Sequence, residues 1–139
     1  MSKGLLRNIP ASKERAHASI KVADKWLEEA NNNFNNGTIN SSVLCSYLAM
    51  FHSARAVLFL DGFREKSHYC IAKYLEERYV KKNLLESKWV DLLDHYRELR
   101  QYSQYDVSFF ATGEEAKSAL MTAGEFTERM KKLLHSRIK

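Results

Sequence analysis

From about Lys13 to Phe34, apolar side chains recur at Ala16, Ile20, Ala23, Trp26, Leu27, Ala30 and Phe34. Steps of three and four place them on one face of a helix. Ser12 stands where a helix cap is wanted, and Asn31, Asn32, Asn33, Asn35, Asn36 and Gly37 supply residues that end helices. A second helix is predicted from near Thr38–Ser41 to Asp61, with Gly62 as its C-terminal cap. Val43, Leu44, Tyr47, Leu48, Met50, Phe51, Ala54, Val57, Leu58 and Leu60 make it apolar around most of its girth. Such a helix is central, or is shared with a partner subunit. Ala49, Ala54 and Ala56 are small enough for close helix approach.

Ser67 opens a predicted third helix reaching about Lys82, and a fourth runs from about Glu86 to Tyr105 with Trp89, Leu92, Leu93, Tyr96 and Leu99 inward. Periodicity breaks from Asp106 to Gly113. Thr112 followed by Glu115 is a capping-box signature for a fifth helix, whose stripe is Ala116, Ala119, Leu120, Ala123, Phe126, Met130, Leu133 and Leu134. The first eleven residues, with Pro10 near their end, read as a flexible N-terminal arm. Residues 12–137 read as a single all-α domain, an up-and-down bundle of four to five helices.

Composition supports this picture. A chain of 139 residues suits one core, and five Gly and one Pro leave long stretches without a breaker. No uninterrupted apolar run approaches the roughly 18–20 residues that span a bilayer, and the start lacks the apolar stretch of a secretory signal. The expectation is a cytoplasmic protein without membrane association. Cys45 and Cys70 have no metal-type spacing and sit in apolar helical context, as buried reduced thiols do.

Charge changes the picture more. The formal net charge is +5, and the excess is uneven. Arg129, Lys131, Lys132, Arg137 and Lys139 crowd the C-terminal stretch, while Lys3, Arg7, Lys13 and Arg15 face only Glu14 near the start. That balance favours polyanionic partners, although a solvated basic face at a chain end has the same composition.

No Gly-rich phosphate loop, His-Glu-x-x-His or Cys-x-x-Cys occurs, so no metal site or cofactor is implied. Three places carry candidate chemistry. His52 and Arg55 share a face of the apolar second helix, where a cation needs a partner or an exit to water. Ser67-His68 lies at a helix start, where free backbone N–H groups attract anions. Arg100, Gln104 and Asp106 gather at the end of the fourth helix. Each has a plainer reading: His52 as a packing residue, Arg55 paired with Asp106 or a Glu of a neighbouring helix, His68 as a cap or packing residue, and Arg100–Asp106 as a structural ion pair.

The string from Tyr47 to Leu58, then Gly62, Ser67-His68 and the segment Arg100-Gln101-Tyr102-Ser103-Gln104-Tyr105-Asp106, resembles the HEPN family. It is most similar to a branch of small archaeal and bacterial members with a Tyr-x-Ala-Met-Phe-His-x-Ala-Arg-Ala segment, a later Ser-His and an Arg-led acidic–tyrosine segment. The resemblance covers roughly residues 12–135. It implies a four- or five-helix bundle that dimerises. It further implies one of the family's roles: metal-independent endoribonuclease, or RNA- or nucleotide-binding module, in several cases paired as a toxin with a minimal nucleotidyltransferase antitoxin.

The family's signature is an Arg followed, four to six residues later, by a His. Here Arg100 matches the Arg, but Tyr105 stands where the His belongs. Metal-free RNA cleavage needs groups that take and give a proton near neutral pH, which imidazole does and a phenol of pKa about 10 does not. Arg100 retains the fork that binds phosphate.

Three readings therefore stand. The first is a dimeric binding module with Arg55, His68, Arg100, Tyr105 and Asp106 around RNA or a nucleotide, and Tyr102 or Tyr105 stacking on a base. The second is an endoribonuclease drawing on Arg100 with His68 or His52. The third is a protein-interaction partner of a nucleotidyltransferase.

Overall fold

The computed structural model describes residues 4–105 and 110–138, with side chains for all of these except 102–105. In chain order they form β1 (Leu6–Asn8), α1 (Lys13–Asn35), α2 (Ile39–Asp61), β2 (Phe63–Glu65), α3 (His68–Leu75), α4 (Ser87–Tyr105) and α5 (Gly113–Ile138). A π-helical turn, Glu76–Val80, continues α3.

The helix ends form where local chemistry dictates. The Ser12 hydroxyl accepts from the Arg15 amide at 3.0 Å, capping α1. Gly62 adopts φ +90°, the left-handed conformation that terminates α2. Thr112 and Glu115 form the reciprocal capping box ahead of α5: the Glu115 amide donates to the Thr112 hydroxyl at 3.1 Å, and the Thr112 amide donates to the Glu115 carboxylate at 2.8 Å.

α2 is the axis of the bundle and packs chiefly on α1 and α5. Ala16, Ala23 and Ala30, seven apart on α1, and Ala49, Ala54 and Ala56 on α2 are all fully buried. Small side chains on both helices bring the backbones close enough for direct stitching. Ser19 donates to the His52 carbonyl at 2.7 Å, and Ser42 donates to the Ala30 carbonyl at 2.8 Å. Around this axis Tyr47, Met50, Val57, Leu58, Ile71, Leu75, Phe126 and Met130 complete one continuous core. Cys45 and Cys70 are buried and form no disulfide.

Three features depart from the pattern-based expectation. The N-terminal arm is not loose throughout: Leu6–Asn8 pairs antiparallel with Phe63–Glu65, joining Leu6 to Glu65 and Asn8 to Phe63. The Ile9 amide donates to the Gly62 carbonyl and the Ser12 amide to the Phe59 carbonyl, so the ribbon is fastened to the end of α2. The expected Ser67–Lys82 helix is α-helical only to Leu75, and beyond it the Lys81 amide reaches the Glu76 carbonyl, five residues back. Finally, α2 is long and apolar enough in length and composition to cross a membrane, although Asn40, several serines, His52 and Arg55 interrupt any pure apolar run. Its 67% burial within the bundle is the behaviour of a core helix.

Candidate functional site

Tyr47, Phe51 and Arg55 follow one another at intervals of four, so they lie in one row along α2. Two of them are core side chains, with Tyr47 fully buried and Phe51 nearly so. The row ends in a cation that needs a counter-charge, and the ribbon supplies it. Glu65, the last residue of β2, faces Arg55 with both oxygens: Nε donates to each at 3.1 Å, and Nη2 donates to Oε2 at 2.6 Å. The Arg55 guanidinium carbon also lies 4.4 Å from the centre of the Phe51 ring.

His68, the first residue of α3, lays its imidazole on this row. Its ring stacks on Phe51 with centroids 3.8 Å apart and planes 17° from parallel. Its Nδ1 is 2.9 Å from the Tyr47 hydroxyl, a hydrogen bond whose donor depends on the imidazole tautomer. From α4, the Arg100 guanidinium carbon sits 5.8 Å from the centre of the Tyr47 ring. Three elements thus bring His68 and Arg100 to one buried tyrosine, with Arg55 one ring further along.

The electrostatics follow from this crowding. Burial pushes the His68 pKa down to about 4, assisted by the positive charges of Arg100 and Arg55. Burial, then Arg55, likewise pushes His52 down to about 4. Both imidazoles are therefore neutral near pH 7. Burial raises the Tyr47 phenol, with Arg100 pulling against it. In one tautomer Tyr47 donates to Nδ1 and leaves Nε2–H as a donor. In the other Nδ1–H donates to Tyr47 and leaves Nε2 with a free lone pair.

Next to this cluster in sequence, Tyr69 is 42% exposed. The Arg97 guanidinium carbon and the Lys73 ammonium lie 5.5 Å and 5.8 Å from its ring centre. Arg97 also pairs with Asp94 at 3.3 Å and with Glu98 at 3.8 Å.

The residues anticipated from sequence divide as follows. His68 and Arg100 come together at Tyr47. Arg55 joins them, with two of its donor groups occupied by Glu65. His52 meets the cluster edge-on through Phe51, at 5.1 Å between ring centres. The side chains of Tyr102, Gln104 and Tyr105, and the whole of Asp106, lie outside the described residues. Sequence reasoning assigned Tyr47 and Phe51 to the core without their role in seating His68. It did not single out Tyr69, Arg97 or Glu65. The four-residue spacing of Tyr47, Phe51 and Arg55 was the available signal for the row. For Glu65 there was none, because its position depends on a strand of three residues.

The model of the HEPN domain matches residues 16–133 of this chain. "Putative toxin MJ0605" of Methanocaldococcus jannaschii is 30% identical over 122 residues, covering 88% of this chain and 90% of that protein. "Putative toxin MJ0142" of the same organism is 27% identical over 118 residues, covering 85% and 80%. UPF0332 protein PH1297 of Pyrococcus horikoshii is 24% identical over 95 residues, covering 68% and 67%.

Proposed function

The chain belongs to the HEPN domain family, and on that premise we propose that it is a dimeric module binding single-stranded RNA or a nucleotide through the His68–Arg100 face. The observation that carries this reading is the meeting of His68 and Arg100 at Tyr47. Arg100 brings a fork suited to phosphate oxygens, and His68 adds an Nε2–H donor when Tyr47 donates to Nδ1. Tyr69, flanked by Arg97 and Lys73, supplies a ring on which an unpaired base stacks. In this reading Arg55 helps to hold the site through Glu65 and Phe51 rather than gripping phosphate with its whole fork. The designations of the two Methanocaldococcus relatives favour service as the toxin half of a pair, and the family resemblance suggests a nucleotidyltransferase as the antitoxin partner.

Anisotropy titrations of a labelled single-stranded RNA and of nucleotides test the reading. Binding should saturate at low salt and weaken steeply as salt rises. Arg100→Ala should weaken it about tenfold or more, because a charge-assisted contact is lost. The absence of saturable binding at low salt with every ligand refutes it.

A second reading, metal-independent RNA cleavage, is favoured by one specific feature. His68 supplies a neutral imidazole beside Arg100, although Tyr105 occupies the motif position of the family's histidine. With Nδ1–H donating to Tyr47, Nε2 keeps a lone pair that can accept a proton. Cleavage in the presence of chelator, lost in both His68→Ala and Arg100→Ala, would establish it. Intact RNA after prolonged incubation at several pH values would exclude it.

A further inference from the structure

At the C-terminal end of α2, away from the His68 cluster, a second polar centre lines a cavity of about 340 Å³. Its pivot is Asp61, the last residue of α2. A carboxylate there faces the negative end of the helix dipole and needs donors. Three converge on it: the Tyr74 hydroxyl donates to Oδ2 at 2.6 Å, the Tyr79 hydroxyl donates to the same oxygen, and Arg137 Nη2 donates to Oδ1 at 2.6 Å. Arg137 also donates from Nε to the Tyr79 oxygen at 3.1 Å. The π turn makes this possible. In a regular α-helix, residues five apart point about 140° away from each other. The wider i→i+5 register swings Tyr74 and Tyr79 toward one side, so both reach a single oxygen.

The consequence is a positive cavity. Asp61 is the sole carboxylate in its lining among the described residues, and Tyr74, Tyr79 and Arg137 already engage its oxygens. Arg78 and Lys82 also line it, and neither forms an ion pair among the described residues. Arg78 is held in place: its guanidinium carbon lies 5.3 Å from the Phe63 ring centre and 5.5 Å from that of Tyr74. Arg137 uses Nε and Nη2 internally, which leaves Nη1 for a further acceptor. Leu84, half exposed, forms an apolar lip. The volume falls at the small end of the roughly 300–1,000 Å³ typical of ligand pockets.

We propose that this cavity is a second anion site that takes a phosphate monoester, held by Arg78, Lys82 and the free edge of Arg137. A nucleotide and the phosphorylated end of an RNA share that chemistry. The proposal stands on its own residues and does not require the His68–Arg100 reading.

The test is an NMR titration of the full chain at low ionic strength, following the backbone amides of residues 76–82. Inorganic phosphate, adenosine monophosphate and a short 5′-phosphorylated RNA are the probes, with the 5′-hydroxyl RNA as comparison. Saturable shifts of these amides are expected with phosphate. Tighter binding of the mononucleotide identifies a nucleotide as the source. Tighter binding of the phosphorylated RNA than of its 5′-hydroxyl form identifies an RNA end.

The double substitution Arg78→Gln/Lys82→Gln changes two exposed side chains, so the fold should persist while phosphate affinity falls about tenfold or more. Arg100→Ala should leave the shifts of these amides unchanged, which separates the two sites. Absence of saturable shifts with all three phosphorylated probes, or unaltered phosphate binding in the Gln/Gln variant, overturns the proposal.

Discussion

Glu65→Gln should lower stability and strengthen polyanion binding at once. The substitution keeps the shape of the side chain and removes its charge. Arg55 and Glu65 form three donor–acceptor contacts of 3.1, 3.1 and 2.6 Å, and their side chains are only 18% and 5% exposed. Breaking a fully buried pair costs about 3–5 kcal/mol, because the surviving charge stays desolvated. Arg55 keeps its place over Phe51 and some access to water, so about 2–3 kcal/mol is expected here.

In urea denaturation that loss shifts the midpoint by about 0.7–3 M, given slopes of about 1–3 kcal/mol per M. Binding should move the other way. Loss of a carboxylate beside Arg55 and His68 raises the local positive potential, so affinity for single-stranded RNA at low salt should increase. The double variant Arg55→Met/Glu65→Leu replaces the pair with apolar side chains and should recover most of the stability. A loss below about 0.5 kcal/mol in Glu65→Gln would place the pair among ordinary surface contacts and refute the reasoning. A decrease in RNA affinity would refute the electrostatic half.

Three further outcomes are expected. Asp61→Ala strands the Tyr74 and Tyr79 hydroxyls and should cost about 3 kcal/mol, whereas Arg137→Ala should cost less because that side chain is 45% exposed; a double-mutant cycle measures the difference. His52 and His68 have folded-state pKa values of about 4 against 6.5 when unperturbed, so the unfolded chain takes up protons first as pH falls. Stability should hold above about pH 6.5 and fall between there and pH 4, by about 1–3 kcal/mol in total after allowance for solvent screening; denaturation midpoints that stay flat over this window would contradict it. Gly62→Ala places a Cβ 3.2 Å from the Ile9 carbonyl on a backbone at φ +90° and should cost about 1–3 kcal/mol in thermal or chemical denaturation.

The features that sequence foretold are those whose causes are local. Ser12, Gly62 and the Thr112–Glu115 box act within a few residues of themselves, so the corresponding helix ends were readable. The stripes on α1, α4 and α5 repeat often enough to reveal their buried faces. A three-residue strand has no period to detect, and Leu6–Asn8 meets Phe63–Glu65 across more than fifty residues of intervening chain. The π turn was hidden for a related reason: an i→i+5 register is chosen by what Tyr74 and Tyr79 can both reach, and Asp61 lies on another helix.

The candidate site shows the same division. His68 and Arg100 were nominated by residue type and by resemblance to HEPN members, but their meeting at Tyr47 depends on how α3 and α4 cross α2. Arg55 makes the limit explicit. Its place on an apolar helix face required a partner on energetic grounds, and that requirement was visible from spacing alone. The identity of the partner was not, because Glu65 reaches Arg55 only when the ribbon folds back along α2. Burial turns a charged residue into a demand for an opposite charge. Long-range topology decides which residue meets that demand, and here the ribbon brings Glu65 to Arg55.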